Sequence, residues 1–282
     1  MLQEEGSYPL IEPSDDFHDC ADRLAASGAD EFAFFPFIDP DAVERAALGR
    51  FMPMGLSLEL DGRRRDLFLP KLHLERCLLD PRDTRVTATA RRESRRYSLS
   101  VNRAFGTVLS SCVATHGADW LVGDLTRAFT ALHAQRSRRR VAFVSVELWA
   151  ADEGGPDPVA GEIGYAVGGA YASLTGYTAR SGAGTVQLAA LGGLLAKLGV
   201  RVWDLGMAMD YKLALGGRAL PRELFLTELD GAYRDDGEPG NAALRAVSGF
   251  VPARALLDAS APLPEGFLAD STNLADTGDH HE

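Results

Sequence analysis

Residues 200–212 place a carboxylate where an apolar run stops: Val200, Val202 and Trp203 lead to Asp204, and Leu205, Gly206 and a helical-looking segment follow. Acids are depleted inside strands, but at a strand end that opens onto a cleft a carboxylate is held in place and stays within reach of a substrate. Such a group can orient an amine or take its proton. It can equally cap the helix that follows, and the stretch alone leaves both roles open. A second candidate is Arg180, Gly182 and Gly184, just before another helical run, where backbone amides and a helix N-terminus favour an anion, although the spacing is loose. His73 and Cys77 can share a helical face, but two ligands are too few for a metal centre, and none is expected.

Charge is unevenly distributed along the 282 residues, whose net value is -11. Residues 1–50 carry 12 acids and 3 bases, and residues 228–282 carry 11 acids and 3 bases, which leaves the middle at +6. The basic residues fall in three clusters, Arg63–Arg65, then Arg91, Arg92, Arg95 and Arg96, then Arg136 with Arg138, Arg139 and Arg140. These can meet on one face and receive a polyanion, or can be three solvated loop ends. Cys20, Cys77 and Cys112 are odd in number and widely spaced, so they read as reduced thiols. No apolar run reaches the roughly 18 residues that span a bilayer, and Glu4 and Glu5 are unlike a signal peptide, so a cytoplasmic protein with no membrane partner is expected.

The elements that must position these groups follow from the apolar pattern. Residues 1–30 are expected to form a loose acidic arm with one short helix near 17–26. Residues 31–82 are expected to form a small α+β domain, with a helix after Pro40 and a hairpin of residues 51–60 and 67–74 turning at Asp61-Gly62. Residues 80–83 make a plausible joint. Residues 83–258 read as two helices, three strands, a helix entered through glycines and the strand that ends at Asp204. Two of those strands, 159–167 and 170–178, form a hairpin across Gly168-Gly169. That order is similar to an acyltransferase-type α/β fold of the GNAT superfamily, with a mixed, largely antiparallel sheet. Residues 259–282, rich in Pro, Asp and Gly, are expected to be disordered.

Individual residues then carry a family resemblance. Asn102 to Phe105, Trp120 before a helix, Leu132-His133, the strand Ser145-Val146-Glu147-Leu148-Trp149, Ala160-Gly161, Trp203-Asp204, Leu215-Gly216, and Pro221-Arg222 with Phe225-Leu226 stand in one order along the chain. Between about residues 51 and 229 this succession resembles the leucyl/phenylalanyl-tRNA–protein transferases. The resemblance implies transfer of an apolar aminoacyl group from aminoacyl-tRNA to a protein N-terminus, by a cytoplasmic monomer with no cofactor and no DNA partner. It also implies site roles. Asp204 would act on the attacking amine, Trp120 would stack on the terminal adenine, and Tyr171, Leu188, Leu191 and Trp203 would line the aminoacyl pocket. Arg91, Arg92, Arg95, Arg96, Arg138, Arg139 and Arg140 would hold tRNA. Glu147 matches the family but sits mid-strand, where a structural role is at least as natural as substrate binding.

The departures bear on mechanism. Where the bacterial enzymes carry a glycine-glutamate-serine-methionine run, this chain has Ser173, Leu174, Thr175 and Gly176, and two residues beyond the aspartate a glutamine gives way to Gly206. Leu174 and Gly176 therefore mark a substrate-binding segment that has lost its acid. Glu162 is a candidate catalytic replacement. A three-residue turn at 167–169 sets it opposite Leu174, facing the pocket, whereas a two-residue turn sends it to the other face. Two further readings stay open, an N-acyltransferase using acyl-CoA and a non-catalytic tRNA-binding relative.

Overall fold

The computed structural model describes residues 9–28, 30–60, 62–150, 157–234, 239–247, 249–264 and 267–268. Residues 1–8 of the expected arm and 269–282 of the expected tail lie outside them. α1 (Phe17–Ser27) begins where the Asp16 carboxylate accepts the N–H groups of His18 and Asp19, and α2 (Pro40–Leu48) begins where Asp39 accepts that of Ala42. Acidic caps satisfy donors that a helix start leaves free. α1 is docked rather than loose, because Phe17, Cys20, Ala21 and Leu24 are buried in the core. β1 (Gly55–Leu60) and β2 (Arg63–Phe68) form a hairpin with Leu60 opposite Arg63, its second strand running from the arginines to Phe68 and not over residues 67–74.

The main sheet draws on the rest of the chain. β3 (Glu75–Leu79), α3 (Ala88–Glu93), β4 (Tyr97–Val101), α4 (Phe105–His116), α5 (Gly123–Ala134), β5 (Ala142–Ala150), β6 (Ala160–Val167) and β7 (Ala170–Thr178) come first. They are followed by α6 (Ala183–Lys197), β8 (Val202–Asp204), α7 (Asp210–Ala214), β9 (Arg218–Pro221), α8 (Arg222–Tyr233), α9 (Pro239–Ala246), β10 (Val251–Pro252) and α10 (Ala253–Leu256). The strand order is β10-β4-β5-β6-β7-β8-β3-β9, antiparallel at each joint except β7–β8, which is parallel. The fold is thus mixed α/β with a largely antiparallel sheet.

Further expectations change. Residues 75–79, expected within the N-terminal domain, form β3, an interior strand of the main sheet between β8 and β9. The apolar residues of the N-terminal segment, Phe35, Phe51 and Phe68 among them, share one cluster with those of α4, α5 and α8, so the joint at 80–83 does not separate two cores. His73 and Cys77 lie before and within a strand and share no helical face. At the other end of the chain Phe267 is buried against the cluster formed by α6 and α10, so order continues past residue 258.

The β6–β7 hairpin turns on two residues, with Val167 opposite Ala170, and yet it brings Glu162 to a cavity. A bulge explains this. Gly164 pairs with Ser173 and Ile163 with Thr175, so Leu174 is the extra residue and Glu162 comes to lie opposite Gly176. Gly164 is required at that kink, because a Cβ there would meet the Tyr171 hydroxyl and, at 2.5 Å, the backbone oxygen of Ala172. Gly164→Ala is expected to cost about 1–3 kcal/mol in chemical denaturation and to move Tyr171 away from Glu162. Unchanged stability would show that the hairpin yields freely. Among the described residues no helix is long and apolar enough to cross a membrane.

Candidate active site

The parallel pair β7–β8 creates the site. The two strands pair as far as Ala172 and Asp204, where β8 ends, while β7 continues to Thr178. Beyond that point β7 stays paired with β6, but its β8-side edge has no strand beside it, and a cavity of about 660 Å³ fills the wedge. All six residues of β7 from Ser173 to Thr178 line it. Facing them are Gly184, Thr185, Gln187 and Leu188 from the start of α6, and Leu205 to Met207, Met209, Tyr211 and Lys212 from the segment after β8. Met52, Met54, Lys71 and His73 from the N-terminal segment, with His116 at the end of α4 and Trp120 between α4 and α5, close it. The N-terminus of α6 opens here through Gly182, so the positive end of its dipole faces the cavity.

Glu162 is the carboxylate on this wall, and only 4% of it is exposed. It accepts hydrogen bonds from the Tyr171 hydroxyl at 2.9 Å, the Ser173 hydroxyl at 2.6 Å and the Gln187 amide at 3.0 Å. The Trp203 indole N–H donates to Ser173 at 2.9 Å and fixes that hydroxyl in turn. Burial raises the Glu162 pKa above the ordinary carboxylate value, against the pull of the three donors and of Lys212. A held carboxylate with a raised pKa is a stronger base than a free one and is suited to receive a proton. Lys212 donates to the Leu205 and Met207 carbonyls, and burial lowers its pKa.

Asp204 is placed differently from the strand-end expectation. It is fully buried and does not line the cavity. Its Oδ2 accepts from Arg76 at 2.9 Å and its Oδ1 from the Gly206 N–H at 2.8 Å. It does not cap α7 either, whose N-cap is Met209. Gly206 has φ +71°, a left-handed conformation that suits glycine and would strain a glutamine.

The other sequence-derived residues divide between wall and support. Trp120, Leu174, Gly176 and Leu188 line the cavity with Glu162. Tyr171, Leu191 and Trp203 are fully buried behind it; Tyr171 and Trp203 act on the wall through Glu162 and Ser173, and Leu191 belongs to the α6 core. Glu147 is also fully buried and off the cavity. It accepts from the Ser100 and Ser145 hydroxyls and from the N–H groups of Arg103 and Ala104 just ahead of α4, which is a structural task. Burial raises its pKa against those bonds.

The arginine clusters do not all share a face. Arg91, Arg92, Arg95 and Arg96 precede Tyr97, which pairs with Ala150 at the end of the sheet where the cavity opens. Arg138, Arg139 and Arg140 precede Ala142, which pairs with Ala166, about 13 Å of strand from Glu162. Arg139 is engaged by Asp41 and Glu44. The β5 register therefore carries this cluster to the far end. Sequence reasoning also passed over Gln187, although a polar residue inside the apolar run of α6 was a visible signal, and over His73 as a cavity group.

Comparison with known proteins agrees with the residue pattern. The profile of the leucyl/phenylalanyl-tRNA protein transferase family matches residues 78–230. The leucyl/phenylalanyl-tRNA–protein transferase of Jannaschia sp. (strain CCS1) is 31% identical over 209 residues, 71% of this chain and 88% of that one. Those of Ralstonia pickettii (strain 12J) and Oleidesulfovibrio alaskensis are 32% and 31% identical, covering 55% and 64% of this chain and 62% and 72% of theirs. Among solved structures, the C-terminal DUF2156 domain of a putative lysylphosphatidylglycerol synthetase from Agrobacterium fabrum overlaps 91% of this chain and 81% of that one at 16% identity, with a TM-score of 0.29 too low to carry an argument. On the profile match and the identity to a relative covered over 88% of its length, the chain belongs to the leucyl/phenylalanyl-tRNA protein transferase family.

Proposed function

We propose that this chain transfers a leucyl or phenylalanyl group from aminoacyl-tRNA to the N-terminal amine of a protein or peptide, in the cavity between β7 and β8. The carrying observation is a single buried carboxylate, Glu162, held by Tyr171, Ser173 and Gln187 on the wall of an otherwise largely apolar cavity. An aminoacyl ester is already activated, so the protein has to hold its carbonyl beside a neutral amine and take away one proton. Met52, Met54, Leu174 and Leu188 supply adaptable apolar surface for the aminoacyl side chain. Trp120 offers a flat face to the terminal adenine. Lys71, Lys212 and the arginines at positions 63–65 and 91–96 meet the phosphates. In this scheme the fold is GNAT-like, with the split parallel pair as its active-site wedge.

The chemistry balances within one chain. The amine nitrogen forms a bond to the ester carbonyl carbon, its proton passes to Glu162, and the bond from that carbon to the ribose oxygen breaks. The departing oxygen then recovers a proton from Glu162 and leaves as a hydroxyl. The test is transfer of labelled leucine or phenylalanine from tRNA to peptides of varied N-terminus, arginine and lysine included. Trp120→Ala is expected to raise the KM for aminoacyl-tRNA in proportion to the loss of about 1–3 kcal/mol of stacking, with kcat little changed. Failure to transfer either group to any peptide would sink the proposal.

A further inference from the structure

His73 is the cavity group that the transfer scheme leaves unused. Its ring lines the cavity and only 6% of the residue is exposed. Nδ1 faces the Arg76 Nε at 3.4 Å. Arginine has no acceptor, so Nδ1 must be the unprotonated nitrogen and Nε2 the one that carries hydrogen. Nε2 has no hydrogen-bond partner among the described residues and is not sealed from solvent.

Arg76 cannot turn away from this task. Its side chain is fully buried, donates to Asp204 at 2.9 Å and to the Arg50 carbonyl at 2.8 Å, and lies over the Phe225 ring at 4.8 Å. Asp204 is locked by Gly206 on its other oxygen. A fixed chain therefore runs from the strand-end aspartate through the arginine to the histidine. Burial first, and then the cations Arg76, Lys71, Lys212 and Arg222, lower the His73 pKa to about 2. The ring stays neutral, and the same positive surroundings favour negative charge appearing next to it.

We propose that His73 donates its Nε2–H to the carbonyl oxygen of the aminoacyl ester and stabilises the oxyanion that forms on amine attack, with Arg76 and Asp204 as the residues that position it. The inference rests on the transferase reading above. As the amine bonds to the carbonyl carbon, the π electron pair moves onto oxygen, where the Nε2–H receives it without giving up its proton. The pair returns as the bond to the ribose oxygen breaks. Preorganised donors of this kind cost no reorganisation during reaction.

Substitution at position 73 separates the two ring nitrogens. Glutamine places an amide N–H near Nε2, and asparagine offers an acceptor near Nδ1 but no donor in the cavity. His73→Ala and His73→Asn are expected to lower kcat about 100-fold with the KM for aminoacyl-tRNA within about twofold, and His73→Gln to recover about tenfold of that loss. Nitrogen-15 NMR of the wild-type ring is expected to show the Nε2–H tautomer with no titration between about pH 5 and 8. An Nδ1–H tautomer overturns the inference, as does equal activity of the Asn and Gln variants. Should His73→Ala fail to fold, the Asn and Gln pair decides. No transfer by the wild-type chain sinks the transferase reading and the inference with it, whereas wild-type transfer with no loss in the Ala and Asn variants sinks the inference alone.

Discussion

Glu162→Gln is expected to slow aminoacyl transfer by about 10²- to 10⁴-fold and to leave the protein folded. The amide keeps the volume of the carboxylate and can accept from Tyr171 and Ser173, and Gln187 can rotate its own amide to receive the new N–H. Stability should respond to pH in one direction. Burial raises the folded-state pKa of Glu162 above its unfolded value. Its contribution is therefore fully present below about pH 4.3 and lost as pH rises through the folded pKa. The glutamine variant has no such loss, so thermal unfolding should show it matching the wild type near pH 4 and equalling or exceeding it near pH 8. The acid limb of the wild-type rate profile should lie above the ordinary carboxylate range. A folded variant that keeps its rate within about tenfold would remove Glu162 from the chemistry.

Asp204→Ala is expected to destabilise the fold by about 3–5 kcal/mol, because it leaves the Arg76 guanidinium buried without its counter-ion. Arg76 ties β3 to β8 and holds the Arg50 carbonyl, so the loss falls on the joint between the N-terminal segment and the sheet. The paired replacement Arg76→Met with Asp204→Leu should restore much of the stability, since apolar groups often substitute well for a buried ion pair. It should not restore transfer, because His73 loses the partner at Nδ1. Urea denaturation of the single and paired variants checks this. A single variant that costs less than about 1 kcal/mol would mean that the pair is hydrated and inessential.

What the sequence makes legible is local. The alternation in residues 141–149 and the glycine pair at 168–169 are signals carried by neighbours, and β5 and the β6–β7 hairpin stand where they point. β3 escapes such reading because its partners β8 and β9 lie far along the chain, and the Asp80-Pro81 turn beside it imitates a domain boundary. Asp204 shows the same limit. Its position at a strand end is written in Val202 and Trp203, but Arg76, which takes up its charge, is not. Glu162 depended on a bulge at Leu174 that no count of turn residues reveals. Trp120, Leu174 and Leu188, picked out by the family pattern, line the cavity, whereas Arg138 to Arg140 stand at the other end of the sheet, because charge clustering along a chain says nothing of which end it reaches.

The most direct measurement is mass spectrometry of an N-terminally diverse peptide library incubated with mixed aminoacyl-tRNAs and either the wild-type protein or Glu162→Gln. The account predicts peptides extended by one leucyl or phenylalanyl residue at the N-terminus with the wild type, and almost none with the variant. Absence of any extension, or extension that persists unchanged in the variant, would contradict it.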